Sequence, residues 1–420
     1  MMINTREFLQ PVWRRLNVWL LIIPIIYFAT DGHLLTKSGN VATNLSSTGR
    51  GWVVWVEQFI TWTLVIVSSW DHFPRVLKAL LRYKSFTLLL GWICLSVLWS
   101  SSPGDTVRRV TMFALTLLFS YLLAERFSRE EQMAISVMAC TVVTLLSLFA
   151  VFALPSIGHG PNGEWKGVFG HKNALGVNLM FLSLSSFFVK ARTSVDKIVL
   201  VGIILLAGLL EVKSETRTGW LLVIIALAYI LYIKYISRFR RLDTVAVLLT
   251  SGAGIVAIAL WGLFHVENIA LLLGKSSDLT GRIPIWAVVL RAIYKHPVLG
   301  YGYGGFWNEL HGESFSAIAE LGWAVPSAHN GYLDICLQLG VVGLLLFLWS
   351  MLSAALNLVK CLAVGDRSNY VLWCGAIILL VAVGSIDETF ILYPNSFDTV
   401  LYVMACIGLQ KASKLRGESK

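Results

Sequence analysis

Residues 132–154 read QMAISVMACTVVTLLSLFAVFAL, a run without a single Lys, Arg, Asp or Glu. A bilayer core about 30 Å thick is crossed by roughly 20 mostly apolar residues in a helix. In lipid, a helix pairs every backbone polar group within such a run. The stretch therefore predicts a transmembrane helix, and it is not alone. Comparable runs lie near residues 14–30, 51–69, 86–100, 110–124, 174–190, 198–212, 220–236, 243–264, 332–358, 370–386 and 398–410, so the expectation is about twelve transmembrane helices. Composition agrees: of 420 residues 56% are hydrophobic and only 14% charged, and the mean hydropathy is +0.72, far from a soluble domain. Because the apolar runs spread along the whole chain, residues 1–420 are expected to form a single all-α polytopic membrane domain. The N-terminal WRRLNVWLLIIPIIYFAT (13–30) has basic flanks and no small-residue cleavage site after it, and reads as a retained first helix.

Cytoplasmic loops carry an excess of Lys and Arg. Placing the N-terminus inside puts most of the 34 basic residues on the inner side, among them Arg14, Arg15, Arg75, Lys78, Arg82, Arg238, Arg240 and Arg241. The expected topology has both termini cytoplasmic. Loop charge also accounts for the net charge of +10 without a nucleic-acid partner. The basic residues left outside include Arg108, Arg109, Lys166, Lys172, Lys213, Arg217, Arg282, Arg291 and Lys295. They stand against the insertion bias, and anionic lipid-linked substrates are one reason for cations there.

The longest outer segment, 265–331, reads as a structured periplasmic loop. Within it Thr280 can cap a helix, Pro284 suits the first turn and His296-Pro297 ends it. Trp286, Val289, Leu290 and Ile293 recur at helical spacing, which suits a helix lying apolar side down on the membrane surface. A long loop with its own structure is more often functional than decorative. The six cysteines fall in expected spans or on the inner side. HExxH, CxxC, Asp-x-Asp and phosphate-loop patterns are all missing from the sequence, so neither a metal nor a cofactor is expected.

Four outer clusters remain: GVFGHKNALG (167–176) preceded by GPNGEWK, KSETRTGW (213–220), LTGRIPIW (279–286) and PSAHNGYLDI (326–335). Each has a plain structural reading. Arg217 can anchor a hairpin at the headgroups, Arg282 can be a surface charge, His329 can sit at a helix start, and His171 to Asn173 can be a polar cap with Asn173 at the helix start. Together they suggest chemistry. Guanidinium groups grip phosphate oxygens bidentately and stay charged, so Arg217 and Arg282 suit a diphosphate, while His329 suits a proton acceptor for an attacking hydroxyl. That combination describes glycosyl transfer from a polyprenyl-diphosphate donor. His171 and Lys172 would be contacts at the pocket edge.

GRIPIWAVVLRAIYKHPVLGYGYGGF (281–306) and SAHNGYLDICLQLGVVGLLLF (327–347), with WKGVFGHKNALG and SETRTGWL, resemble the O-antigen ligase and polysaccharide polymerase superfamily of bacterial inner membranes. The histidine-lysine-asparagine stretch is similar to the exopolysaccharide-production polymerase branch. The resemblance implies an inverting, metal-independent glycosyltransferase with a membrane glycosyltransferase fold of the C type and an undecaprenyl-diphosphate-linked glycan as donor. It implies essential roles for Arg217, Arg282 and His329, substrate contacts for His171, Lys172, Asn173 and Asn330, and polysaccharide export and chain-length proteins as partners. Two other functions stay open: a ligase passing finished glycan to lipid A-core or protein, and a transporter or flippase of the same lipids.

Overall fold

The computed structural model describes residues 20–30, 51–236, 282–307, 312–323 and 325–415. Among them the chain is mostly helical, and its one β pairing is an isolated bridge between His159 and Trp165. The helices are α1 (Ile22–Ala29), α2 (Gly51–Ser69), α3 (Phe73–Arg82), α4 (Lys84–Leu95), α5 (Pro103–Arg126), α6 (Arg129–Ala153) and α7 (Lys172–Phe188), then α8 (Ser194–Ser214), α9 (Arg217–Ile236), α10 (Arg282–Lys295) and α11 (Gly312–Leu321), and finally α12 (Gly331–Ala363), α13 (Asn369–Asp387) and α14 (Phe397–Leu415).

The expectation of twelve spans, and with it the C-type arrangement, is corrected. Among the described residues four helices are long and apolar enough to cross a membrane: α5, α6, α12 and α13. The number rises to 5 if Trp55–Arg82 and Lys84–Trp99, a bent pair broken at Tyr83, count as one span. The other runs fall short for particular reasons. The 86–100 run lies in α4, which ends at Leu95 and gives way to a tighter turn over Ser96–Trp99. The 174–190 run forms α7, 17 residues long. The 198–212 run lies in α8, which carries Asp196, Lys197, Glu211 and Lys213, and the 398–410 run lies in α14, with Asp398, Lys411 and Lys414. The 220–236 run lies in α9, of which Arg217–Ile233 counts as a shorter apolar stretch. The 243–264 run, residues 14–19 of the first one, and Thr280 lie outside the described residues, and the rest of the first run holds α1, 8 residues long. What stands is a helical membrane protein.

The chain divides into two compact units. The first comprises residues 1–83, 112–223 and 393–404. Its helices start where the sequence caps them. The Ser128 hydroxyl accepts from the Glu131 N–H at 3.3 Å, and the Glu131 carboxylate accepts from the Ser128 N–H at 2.8 Å. Thr193 and Asp196 repeat this reciprocal cap at the start of α8, and each such cap stabilises a helix start by roughly 1 kcal/mol. α7 packs against both α6 and α8. Polar pairs fasten α6 to α7: Ser136 to Ser185 at 2.9 Å, and the Asn178 amide donating to the Thr144 hydroxyl at 3.1 Å. In apolar surroundings such pairs also spare a polar group from being left unmatched.

The second unit comprises residues 84–111, 224–392 and 405–420. α10 forms where the sequence predicts it, with Pro284 in its first turn. Its buried face is Ile285, Val288, Val289 and Ala292, packed with Tyr301, Phe306, Trp307 and Leu337, and Trp286 and Ile293 border that core. Leu290 is 54% exposed, so the apolar side is turned from the expected one toward a protein core. Arg291 and Lys295 point away from it, paired with Glu320 and Glu313.

α12 is interrupted at Gly340, whose φ of 66° and ψ of −172° lie outside any helix. The freed groups are taken by the segment that follows α10. The Tyr301 N–H donates to the Leu337 carbonyl at 3.0 Å, and the Val341 N–H donates to the Pro297 carbonyl at 2.8 Å. The Trp92 indole donates to the Leu339 carbonyl at 3.0 Å.

A Cβ at residue 340 would overlap the Val298 backbone, and that backbone region is essentially reserved for glycine. Gly340→Ala is therefore expected to cost more than about 3 kcal/mol and to remove most folded, detergent-extractable protein. Gly202→Ala, in open space on α8, is expected to be neutral or stabilising by up to about 1 kcal/mol. Size-exclusion profiles and thermal melts of the two variants check the contrast.

Candidate functional site

Two groups of polar side chains gather the residues singled out by sequence, one in each unit. In the second unit α12 starts at Asn330, whose side-chain carbonyl accepts from the Tyr332 and Leu333 N–H groups at 3.1 and 3.0 Å. The Asn330 amide donates to the Ile386 carbonyl at 3.0 Å, at the end of α13. His329, just before the cap, adopts the left-handed conformation with φ 47°, a conformation that costs a residue of this type on the order of 1 kcal/mol or more. Its ring Nδ1 lies 3.0 Å from the Glu388 carboxylate. A carboxylate only accepts, so Nδ1 is the nitrogen that donates, and in the neutral ring this tautomer leaves the lone pair on Nε2.

Glu388 is shared. Its other oxygen accepts from Arg282 at 3.1 Å, and the second guanidinium nitrogen of Arg282 pairs with Asp387. The side chains of Glu388, Arg282 and His329 are 14%, 19% and 25% exposed, so the chain of contacts is largely shielded and still open to a ligand. Arg282 is thus already opposed by two carboxylates, which the sequence reading did not foresee. A signal existed in Asp387-Glu388, an acidic pair closing an apolar run. Nearby, burial, with Glu313 adding to it, pushes the Tyr301 phenol up to about 12. It is a neutral donor, to the Ala292 carbonyl at 3.1 Å.

In the first unit His171, not Asn173, caps α7, its ring Nδ1 accepting from the Asn173 N–H at 3.3 Å. The Asn173 side chain instead takes the Thr216 hydroxyl at 3.1 Å, which joins the 171–173 stretch to the turn that presents Arg217. That turn is tight: α8 ends in Glu215 with φ 53°, and α9 begins at Arg217, which is exposed. Beneath it Glu211 is buried, 3% exposed, and among the described residues neither carboxyl oxygen has a hydrogen-bond partner. Its carboxyl abuts Gly219, and Gly176 lies against Thr216. Sequence reasoning passed over Glu211. Among the described residues no group of three or more His, Cys, Asp or Glu side chains is placed to share a metal ion.

Residues 200–348 match the model of the O-antigen ligase family. The Exopolysaccharide production protein ExoQ of Rhizobium meliloti (strain 1021) is 25% identical over 331 residues, covering 74% of each chain. The chain is thus similar to the O-antigen ligase and exopolysaccharide polymerase superfamily over these stretches. The ligase-family match contains Arg217, Arg282, His329 and Asn330, whereas His171, Lys172 and Asn173 precede it and Asp387 and Glu388 follow it. The structure brings Arg282, His329 and Asn330 into one unit, and His171, Lys172, Asn173 and Arg217 into the other.

Glu211 supplies a pH prediction. Burial pushes its carboxyl up to about 8, against roughly 4.3 for an unfolded glutamate. The folded state then holds a proton that the unfolded state has lost, so this residue's contribution is full below the unfolded value and declines until the folded value is passed. Glu211→Gln carries no such loss. Its melting temperature relative to the natural protein is expected to rise steadily from pH 5 to pH 8.5, and a pH-independent difference would show that the side chain finds a partner.

Proposed function

We propose that this protein is a glycosyltransferase that polymerises undecaprenyl-diphosphate-linked oligosaccharide repeat units on the periplasmic face of the inner membrane, in exopolysaccharide biosynthesis. Likeness to the superfamily supports a lipid-linked glycan as substrate, and the ExoQ relative, together with the 165–176 stretch, favours a polymerase. The observation that carries the chemistry is the Arg282–Glu388–His329 chain.

In this reading the acceptor hydroxyl attacks the anomeric carbon of the donor sugar. Its proton passes to Nε2 of His329, and the bond between the anomeric carbon and the phosphate oxygen breaks, its electron pair leaving with the diphosphate. A single displacement of this kind inverts the anomeric centre. Glu388 fixes the ring and its tautomer, as a carboxylate does behind a histidine base. The cluster holds one guanidinium and two carboxylates, so a proton arriving on His329 moves it toward charge balance. Arg217, exposed and always cationic, is assigned to the diphosphate, with guanidinium charge offsetting the charge of the leaving group in place of a metal ion. Arg282 is assigned a double part: it steadies Glu388 and offers its remaining N–H groups to the donor. Lys172, with His171 and Asn173, is assigned to the edge of the donor site. Multi-pass insertion with both termini inside, one membrane domain with the 265–331 loop outside, and export and chain-length partners belong to the same reading.

The ligase-family match favours one second reading, transfer of the glycan to lipid A-core or protein by the same donor chemistry. Purified protein given only lipid-linked repeat units separates them. Longer lipid-linked glycan is expected, whereas product that forms only when lipid A-core is added would make the protein a ligase. Arg217→Ala, Arg282→Ala, His329→Ala and Glu388→Gln should each slow chain growth by about a hundredfold or more with protein levels intact. Natural rates from His329→Ala and Glu388→Gln would sink the mechanism.

A further inference from the structure

Asp334 lies one turn inside α12 and is 1% exposed. Its carboxylate gathers three separate segments. The Trp307 indole donates to it at 2.9 Å, the Ala328 N–H at 3.1 Å to each oxygen, and the Thr389 hydroxyl at 2.5 Å. Burying a carboxylate is costly unless its lone pairs are used, and here both oxygens are engaged. The identity of the donors matters more than their number. Ala328 immediately precedes His329, and Thr389 immediately follows Glu388. The two side chains that meet at 3.0 Å are thus each next in sequence to a residue held by the same carboxylate. Ala328 is fully buried and is held from its other side too, its carbonyl accepting from the Trp286 indole at 3.0 Å.

We propose that Asp334 is the positioning residue that sets the alignment of His329 against Glu388. It contacts neither of them through a hydrogen bond; it fixes the backbone on which each is carried. The inference rests on the function proposed above. It explains why His329 stays in a left-handed conformation: the residue before it is pinned at N–H and carbonyl, and the residue after it caps α12. It also gives Thr389 a role, as the arm that connects the carboxylate to the Glu388 segment.

Thr389→Val cuts that arm while leaving Asp334 bonded to Ala328 and Trp307, so the fold is kept. In the full-length protein elongating an undecaprenyl-diphosphate-linked repeat unit, Thr389→Val should lower kcat by roughly tenfold with KM for the donor unchanged, as expected for a slightly misaligned base. Thr389→Ser, which retains the hydroxyl, should return to the natural rate. Asp334→Asn keeps the size of the side chain, and its amide can still meet Ala328 and Trp307. It should lose at least as much in kcat, and adding Thr389→Val to it should cost little more, because both changes act through one link. A natural kcat in Thr389→Val, a change confined to KM, equal losses in Thr389→Val and Thr389→Ser, or fully additive losses would each overturn the role of Asp334. Those outcomes differ from failure of the function itself, in which the unmodified protein elongates nothing.

Discussion

The interruption at Gly340 is the constraint on which the second unit depends. In an apolar environment every backbone N–H and carbonyl freed from a helix must find another partner. At this break the partners come from elsewhere in the chain: Tyr301 takes the Leu337 carbonyl, Pro297 takes the Val341 N–H, and the Trp92 indole takes the Leu339 carbonyl. The segment after α10 is thereby laid along α12 with its register set. From there the chain of contacts runs outward. Trp307, a few residues on, reaches Asp334, Asp334 holds Ala328, and His329 follows. The histidine is placed by a backbone defect more than ten residues away in the sequence.

The polar groups of the two units are managed in opposite ways. Arg282, Glu388, Asp387 and His329 form a connected set in which each charge meets another, and Asp334 is surrounded by donors. Glu211 is buried with no bond to its carboxyl among the described residues, and burial favours its protonated form. Among the described residues no ion pair is formed by the exposed Arg217, whereas Arg282 meets two carboxylates. The arginines therefore differ as phosphate ligands even though sequence alone presents them as equivalents.

Several parts of this were legible beforehand. Residues 132–154 became α6, and the α10 helix follows its proline and its terminal His-Pro. The polar clusters were found because polar residues are conspicuous in a greasy chain. The span count was not legible, since hydropathy marks apolar runs without measuring where a helix stops. Lys, Asp and Glu at the ends of α8 and α14, and the short lengths of α4 and α7, decide that. The face of α10 was misjudged because Trp286 and Leu290 look more apolar than Ala292, while packing selects by position. Asp387, Glu388 and Thr389 were missed for a different reason: their importance lies in contacts across more than fifty residues of sequence, which spacing does not reveal. Likewise only the folded arrangement assigns the α7 cap to His171 and frees Asn173 for Thr216.

The stretch of α12 between Asn330 and Gly340 also acts as a ruler. One end is fixed by the His329 loop and the other by backbone pairing with residues 297–301. An α-helix turns about 100° per residue, so one inserted or deleted residue here would swing the histidine to a different side of the helix while the break stayed where it is. Natural length variation is therefore expected to be excluded from this interval.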